Sequence, residues 1–255
     1  MLEILYRDER LVVINKPAGM LVHRTAIDRG ETVFAVQELR DQIGSPVHPV
    51  HRLDKPTSGA LVFALSIPDL KLLQAQFTER NVKKTYWAIV RGYLNGAGTV
   101  DYPLTRELDR YAPGETQTRQ NALTHFQCLS QTELPIPVGR YPSARYSLVE
   151  LQPITGRRHQ LRRHMAHIRH PIVGDSRHGD GKHNRFFREP LAIRRLLLHA
   201  RTLSFDHPTD GNRITLTASL DNAFAEALEK TNLRPSPPAN TSLIGAKKED
   251  RIRTS

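Results

Sequence analysis

Strand-like runs recur along this chain more often than helices separate them, and that pattern limits the fold more than any other feature. EILY (3–6) and LVVIN (11–15) are short β-like runs on either side of the turn-forming Arg7-Asp8-Glu9. GALVFALS (59–66) is an apolar strand, and KTYWAIVRG, ALTHFQCLS, ARYSLVELQ, LLLHARTLSF and RITLTAS supply more, with ARYSLVELQ expected to alternate. Helices are fewer. ETVFAVQELRDQIG (31–44) carries Val33, Val36, Leu39 and Ile43 near one face. A second helix starts after Ser66, which can serve as N-cap with Pro68 and Asp69 in the first turn and Leu70, Leu73 and Phe77 at core spacing. A third is expected at about 157–169, and NAFAEALEK closes the set. Strands that are often adjacent favour an α+β fold over a regular βαβ winding.

The chain has 255 residues, enough for one large domain or two small ones with a real core. Its formal charge is +11, which suits a partner such as RNA or DNA but does not establish one. The segment 234–255 is rich in Pro, Ser, Lys and Arg and reads as a disordered basic tail. It carries a net +3, so the body, residues 1–233, keeps about +8 and the basic character is not confined to the tail. Cys128 is the single cysteine, which excludes an internal disulfide and any CxxC metal or redox site. The N-terminal segment is interrupted by Glu3, Arg7, Asp8, Glu9 and Arg10 and does not read as a signal peptide. No run approaches the roughly 18–20 apolar residues that span a bilayer. A cytoplasmic protein is expected.

Charge is densest in TGRRHQLRRHMAHIRHP (155–171), with five arginines and four histidines (His159, His164, His167, His170). Leu161, Met165 and Ile168 form an apolar stripe. Arg162 should therefore sit at the edge of a buried face, where its guanidinium is firmly held. A solvated basic face would need neither the histidines nor the Gly156 entry. A metal site lacks cysteine and any nearby carboxylate before Asp175, and the arginines would repel a dication. An RNA-contacting helix uses most of the residues and is the preferred reading.

HRLDKPTSG (51–59) places Asp54 between Arg52 and Lys55, on a loop between strand-like segments. Taken alone, such an Asp can simply cap its turn through the Thr57 or Ser58 amides. A nearby guanidinium favours the charged form of a carboxylate, which suits a nucleophile or base better than a general acid. No second carboxylate for hydrolysis is evident nearby, and no phosphate-binding or dinucleotide fingerprint occurs.

NKPAGMLVH (15–23), HRLDKPTSG (51–59), KKTYWAIVRG (83–92), TGRRHQLRRHMAHIRHPIVGD (155–175) and LLLHARTLSFDHP (196–208) occur in the order found in pseudouridine synthases of the RluA branch, which this chain resembles. The resemblance implies a mixed, mainly antiparallel central sheet with flanking helices and a catalytic cleft, without the S4-type RNA-binding domain of some relatives. It implies that Asp54 is the catalytic aspartate and that Arg162 pairs with it. Tyr86 would pack on the target uracil, Arg52 would enter the RNA stack, and Leu197 or Leu198 would line the pocket. Lys55, Arg157, Arg158 and Arg163 are expected on the RNA. Within the branch, residues 139–185 are most similar to members acting on tRNA, which implies uridine 65 at the edge of the T stem. Isomerisation of uridine needs no cofactor and no metal, and neither an obligatory protein partner nor assembly beyond a monomer is expected. Pseudouridine synthesis in rRNA or several RNAs, an RNA-binding or RNA-folding role, and a metal-dependent nuclease or hydrolase are the alternatives.

Overall fold

The computed structural model describes residues 1–23, 33–106 and 118–235. The elements run β1 (Glu3–Arg7), β2 (Leu11–Lys16), α1 (Ala35–Ile43), β3 (His48–Pro49), β4 (Ser58–Ala64), α2 (Ile67–Thr78), β5 (Lys83–Arg91) and β6 (Ala97–Asp101). They continue with β7 (Leu104–Thr105), β8 (Arg119–Gln120), β9 (Leu123–Leu134), β10 (Ala144–Pro153), α3 (Gln160–His167), α4 (Gly181–Arg188), β11 (Leu198–Asp206), β12 (Arg213–Thr217) and α5 (Asn222–Lys230). One sheet follows the order β1-β2-β4-β11-β5-β10-β9-β6, with β12 beside β11 and β3 beside β4. Its pairs are antiparallel except β4 with β11, so the mixed, mainly antiparallel α+β expectation holds. Apart from Arg234 and Pro235, the expected basic tail lies outside the described residues.

The central strands are apolar because helices cover both faces of the sheet. All seven residues of β4 are buried. Alternation sends Leu61 and Phe63 to a core with α1 residues Ala35 and Leu39, and Ala60, Val62 and Ala64 to a core with Leu73 of α2. A side chain such as Phe63, fully buried, is worth roughly 1.5–3 kcal/mol of transfer free energy. Farther along the sheet, α3 packs Leu161 and Met165 on Ala88, Val90, Val149 and Leu151. Phe186 and Phe187 of α4 and Phe224 of α5 pack with Ile89, Tyr146 and Leu148. Strand β10 was expected to alternate, but it lies between β5 and β9 and is buried on both faces over Tyr146–Val149.

Helix boundaries moved where tertiary contacts override periodicity. Ser66 caps α2 as expected, its hydroxyl accepting from the Asp69 amide at 3.2 Å. Val33 was expected on the buried face of the first helix. It precedes α1 and is 46 % exposed, while its neighbour Phe34 is buried. The expected helix at 157–169 contracts to α3. Its entry is organised by Gln160, whose side-chain oxygen accepts from Thr155 Oγ1 and the Arg157 amide while its nitrogen donates to the Leu123 carbonyl. At the other end Arg169 adopts φ 65, and the His170 amide donates back to the Met165 carbonyl ahead of Pro171. Helix α4, capped by Asp180, was not anticipated.

Two glycines set how closely the site elements approach. At Gly59 (φ +113) a Cβ would lie 2.2 Å from the Ala200 carbonyl oxygen, so only glycine lets β4 run parallel against β11 here. Gly174 (φ +80) is equally constrained, since a Cβ would overlap the Arg195 carbonyl. The first follows the Asp54 turn and the second immediately precedes Asp175.

Candidate active site

A cleft of about 580 Å³ opens where the turn before β4, the start of β5 and the β10–α3 connection meet. Asp54, Arg52, Tyr86, Arg157, Arg158, Arg162 and Leu198 all line it. Asp54 sits in a turn closed by the Thr57 amide donating to the Asp54 carbonyl at 2.9 Å. The turn is thus held through the backbone. Leu53, only 6 % exposed, anchors it in the α1 core.

The Asp54 carboxylate accepts from Arg162 Nη1 at 3.1 Å. The sequence expectation made Asp54 the main partner of Arg162, and the geometry revises that. Arg162 donates Nε to Asp175 Oδ2 at 2.7 Å and Nη2 to Asp175 Oδ1 at 2.8 Å, a two-point clamp, and reaches Asp54 with its remaining edge. Asp175 Oδ1 also accepts from the Arg177 and His178 amides at 2.9 and 3.0 Å. Burial alone would raise the Asp175 pKa, but the hydrogen bonds from Arg162 and the two amides outweigh it and hold the pKa below the usual value. Burial likewise opposes charge on Arg162, and the two carboxylates more than offset it.

Tyr86 lies on β5 opposite Leu151 on one side and Ala200 on the other, where the α1 and α3 cores adjoin. Burial, and then the charge of Asp54, push its hydroxyl pKa upward, so it stays protonated. The choice between Leu197 and Leu198 is resolved by strand geometry. Leu198 lines the cleft, whereas Leu197 packs in the core with Phe187. Arg52 is exposed at the cleft, and among the described residues no ion pair joins it to Asp54. Lys55 and Arg163 do not line the cleft. The Lys55 carbonyl accepts from the Gly19 amide, and Arg163 Nη1 donates to the Thr105 carbonyl at 3.0 Å.

The histidines separate into two kinds. His164 is fully buried between Thr124 Oγ1 and the Tyr102 carbonyl, His167 stacks on Tyr102, and His170 contacts the Arg91 carbonyl. His159 instead lines the cleft, with Nε2 3.8 Å from Asp54 Oδ2. Among the described residues no group of three or more His, Cys, Asp or Glu side chains could hold a metal ion.

Besides Asp175, three residues escaped the sequence reading. Lys16 is fully buried, its ammonium donating to the Pro17 and Met20 carbonyls at 2.8 Å and to Lys55 at 3.3 Å, which ties the first loop to the Asp54 turn. Burial, reinforced by Arg195 and opposed by Asp54, lowers its pKa to about 7. Its signal was a lysine ending the apolar run LVVIN. Arg80 in the α2–β5 connection and Lys84 on β5 add cations to the cleft, and Lys84 Nζ lies 5.5 Å from the Phe77 ring centre. Lys84 shares a strand face with Tyr86 at i, i+2, a spacing visible in KKTYW.

The family model described as RNA pseudouridylate synthase matches residues 10–167. A Yersinia pestis protein named tRNA pseudouridine synthase C is 53% identical over 224 residues, covering 87% of each chain. A Vibrio cholerae protein of the same name is 52% identical over 233 residues, covering 90% of this chain and 96% of the other. The solved structure of human RNA pseudouridylate synthase domain containing 4 is similar at TM-score 0.68 and 31% identity, covering 92% of this chain and 95% of that one. With the family model matched over residues 10–167 and relatives about half identical over most of the chain, the chain belongs to the RNA pseudouridylate synthase family, a family of isomerases.

Proposed function

We propose that this protein converts uridine to pseudouridine in tRNA, at uridine 65 in the T stem, with Asp54 as the catalytic carboxylate. The observation that carries the assignment to Asp54 is its position. Among the described residues it is the carboxylate that lines the cleft, and it meets the one edge of Arg162 that Asp175 leaves available. The tRNA substrate rests on the relatives that share about half of their residues with this chain.

The reaction breaks the C1′–N1 bond, turns the uracil in the cleft and joins C5 to C1′. A base in a stem must first leave the stack, at a cost of a few kcal/mol. Arg52, exposed at the cleft mouth, fills the vacated position, and stacking on Tyr86 recovers part of that cost. Leu198 closes the apolar side of the pocket. Asp54 acts at the ribose, either attacking C1′ or removing a ribose proton, while Arg162 keeps it aimed. Arg157 and Arg158 at the cleft, with Lys55 and Arg163 outside it, contact phosphates. The catalytic unit is residues 1–233.

Tritium release from C5-labelled uridine in tRNA tests the activity. Release by the wild type and none by Asp54→Ala is expected, and full activity in Asp54→Ala would remove Asp54 from the mechanism. Mapping pseudouridines in tRNA and rRNA from cells with and without the gene tests the substrate. Loss at tRNA position 65 alone is expected, and loss in rRNA would overturn that specificity.

A further inference from the structure

Lys84 is a half-buried cation on the cleft wall, and among the described residues no carboxylate forms an ion pair with it. It stands on β5 two residues before Tyr86 and on the same strand face, about 6–7 Å along the strand. Its ammonium lies 5.5 Å from the Phe77 ring centre, and Phe77 stacks on His51 with ring centres 4.7 Å apart. The Val62 amide donates to His51 Nε2 at 3.4 Å, which ties this stack to β4. Burial, and then the charge of Lys84, lower the His51 pKa to about 3, so the ring stays neutral beside the ammonium. Lys16 gives the contrast. Burial lowers the pKa of both lysines, but Asp54 partly restores that of Lys16, and no described carboxylate does so for Lys84. Desolvating an ammonium without a counter-charge is costly, and a ring face returns only part of that cost. A side chain needed only to pack on Phe77 requires no charge. The charge is therefore placed for an anion from outside the chain, and Arg52 and Arg80, exposed on the same cleft lining, strengthen the field for one.

We propose that Lys84, seated on Phe77, binds a phosphodiester flanking the target uridine and so fixes where the uracil meets Tyr86. The inference rests on the reading of this site as a uridine-isomerising cleft with Tyr86 against the uracil. A nucleotide whose base lies on Tyr86 has its own phosphodiesters within reach of a lysine one pleat farther along the same strand face. A phosphate contact positions the nucleotide and carries no sequence information. Tyr86 thus meets the base and Lys84 the backbone, and the ribose between them is held for Asp54. The RNA phosphate supplies the counter-charge that the chain withholds from Lys84, so the ammonium gains more from this anion than an exposed lysine would.

The test is Lys84→Met and Lys84→Arg, measured for tRNA binding against salt and for single-turnover pseudouridine formation. The tRNAs are unmodified or carry one neutral methylphosphonate linkage on the 5′ or the 3′ side of the target uridine. Methionine keeps the stem on Phe77 and removes the charge. Lys84→Met is expected to weaken binding about tenfold or more and to lower the slope of log affinity against log salt by about 1. Lys84→Arg is expected to keep the wild-type slope. In the wild type one of the two methylphosphonates should weaken binding by a similar factor, and in Lys84→Met that same linkage should cost nothing further. Lys84→Met with wild-type affinity and slope, or with the full methylphosphonate loss still present, overturns the inference while leaving the assigned activity standing. So does a wild type indifferent to both neutral linkages. Wild-type protein that forms no pseudouridine in unmodified tRNA overturns both.

Discussion

Two carboxylates share Arg162, and they could hardly be held more differently. The Asp175 side chain is 1% exposed, gripped at two points by the guanidinium and by two backbone amides. The Asp54 side chain is 21% exposed and meets the same guanidinium through one nitrogen at 3.1 Å. One acid fixes the cation, and the other meets it at the cleft. A buried ion pair is a poor source of net stability but a strong geometric constraint. Here it aims the remaining edge of Arg162 at Asp54 instead of at solvent.

That division can be broken from either side. The largest effect is expected for Asp54→Ala, with turnover at the level seen without enzyme and unfolding free energy within about 0.5 kcal/mol of wild type in urea, as for a site change away from the core. Activity in that variant would mean that the exposed acid is not the reactive one. Asp175→Ala should do the reverse in the folding assay, costing about 3–5 kcal/mol because it strands a buried guanidinium. Urea midpoints at constant slope would measure it. Arg162→Lys keeps the charge but not the fork. It should lower turnover by about 10²-fold through misplacement of Asp54, with tRNA affinity within about threefold. Equal losses of turnover and binding would place Arg162 on the RNA instead.

Acid titration sharpens the same contrast. Asp175 has a folded pKa below its unfolded value of about 3.9. Between the two values the unfolded chain binds the extra proton, so stability rises with pH there. The Asp175 contribution is therefore full above about pH 4 and is lost as pH falls through the folded pKa. Urea melts of wild type and Asp175→Asn should converge at the acid end of the range. The smallest effect is expected at the rim. Arg157→Ala and Arg158→Ala should each reduce the slope of log affinity against log salt by about 1, with single-turnover rates at saturating tRNA unchanged.

The strand-rich α+β character was legible because burial on a sheet imposes its period locally. The same logic failed for β10, because a strand flanked on both sides and covered on both faces loses its alternation. Helix α4 was missed because its buried residues, Phe186 and Phe187, are adjacent instead of spaced by three or four. Arg162 was legible as a held guanidinium from its place beside the Leu161–Met165–Ile168 stripe. Asp175 was not. In HPIVGD it looked like the polar end of a turn, although a buried guanidinium with three donor nitrogens needs more acceptors than Asp54 alone offers.

By itself the sequence determined what periodicity and ordered motifs can encode: the class of fold, the positions of Asp54, Tyr86 and Arg162, and a basic chain suited to RNA. Only the tertiary structure decided which groups meet. It gave Arg162 to Asp175 first and Asp54 second, placed Leu198 and not Leu197 at the cleft, set His159 3.8 Å from Asp54, and buried Lys16 under the turn. Those outcomes depend on contacts across more than a hundred residues, such as Asp54 with Arg162, and on the glycines at 59 and 174 that let backbones close. Local sequence carries no record of such distances, because the energy that selects each partner exists only once the strands have come together.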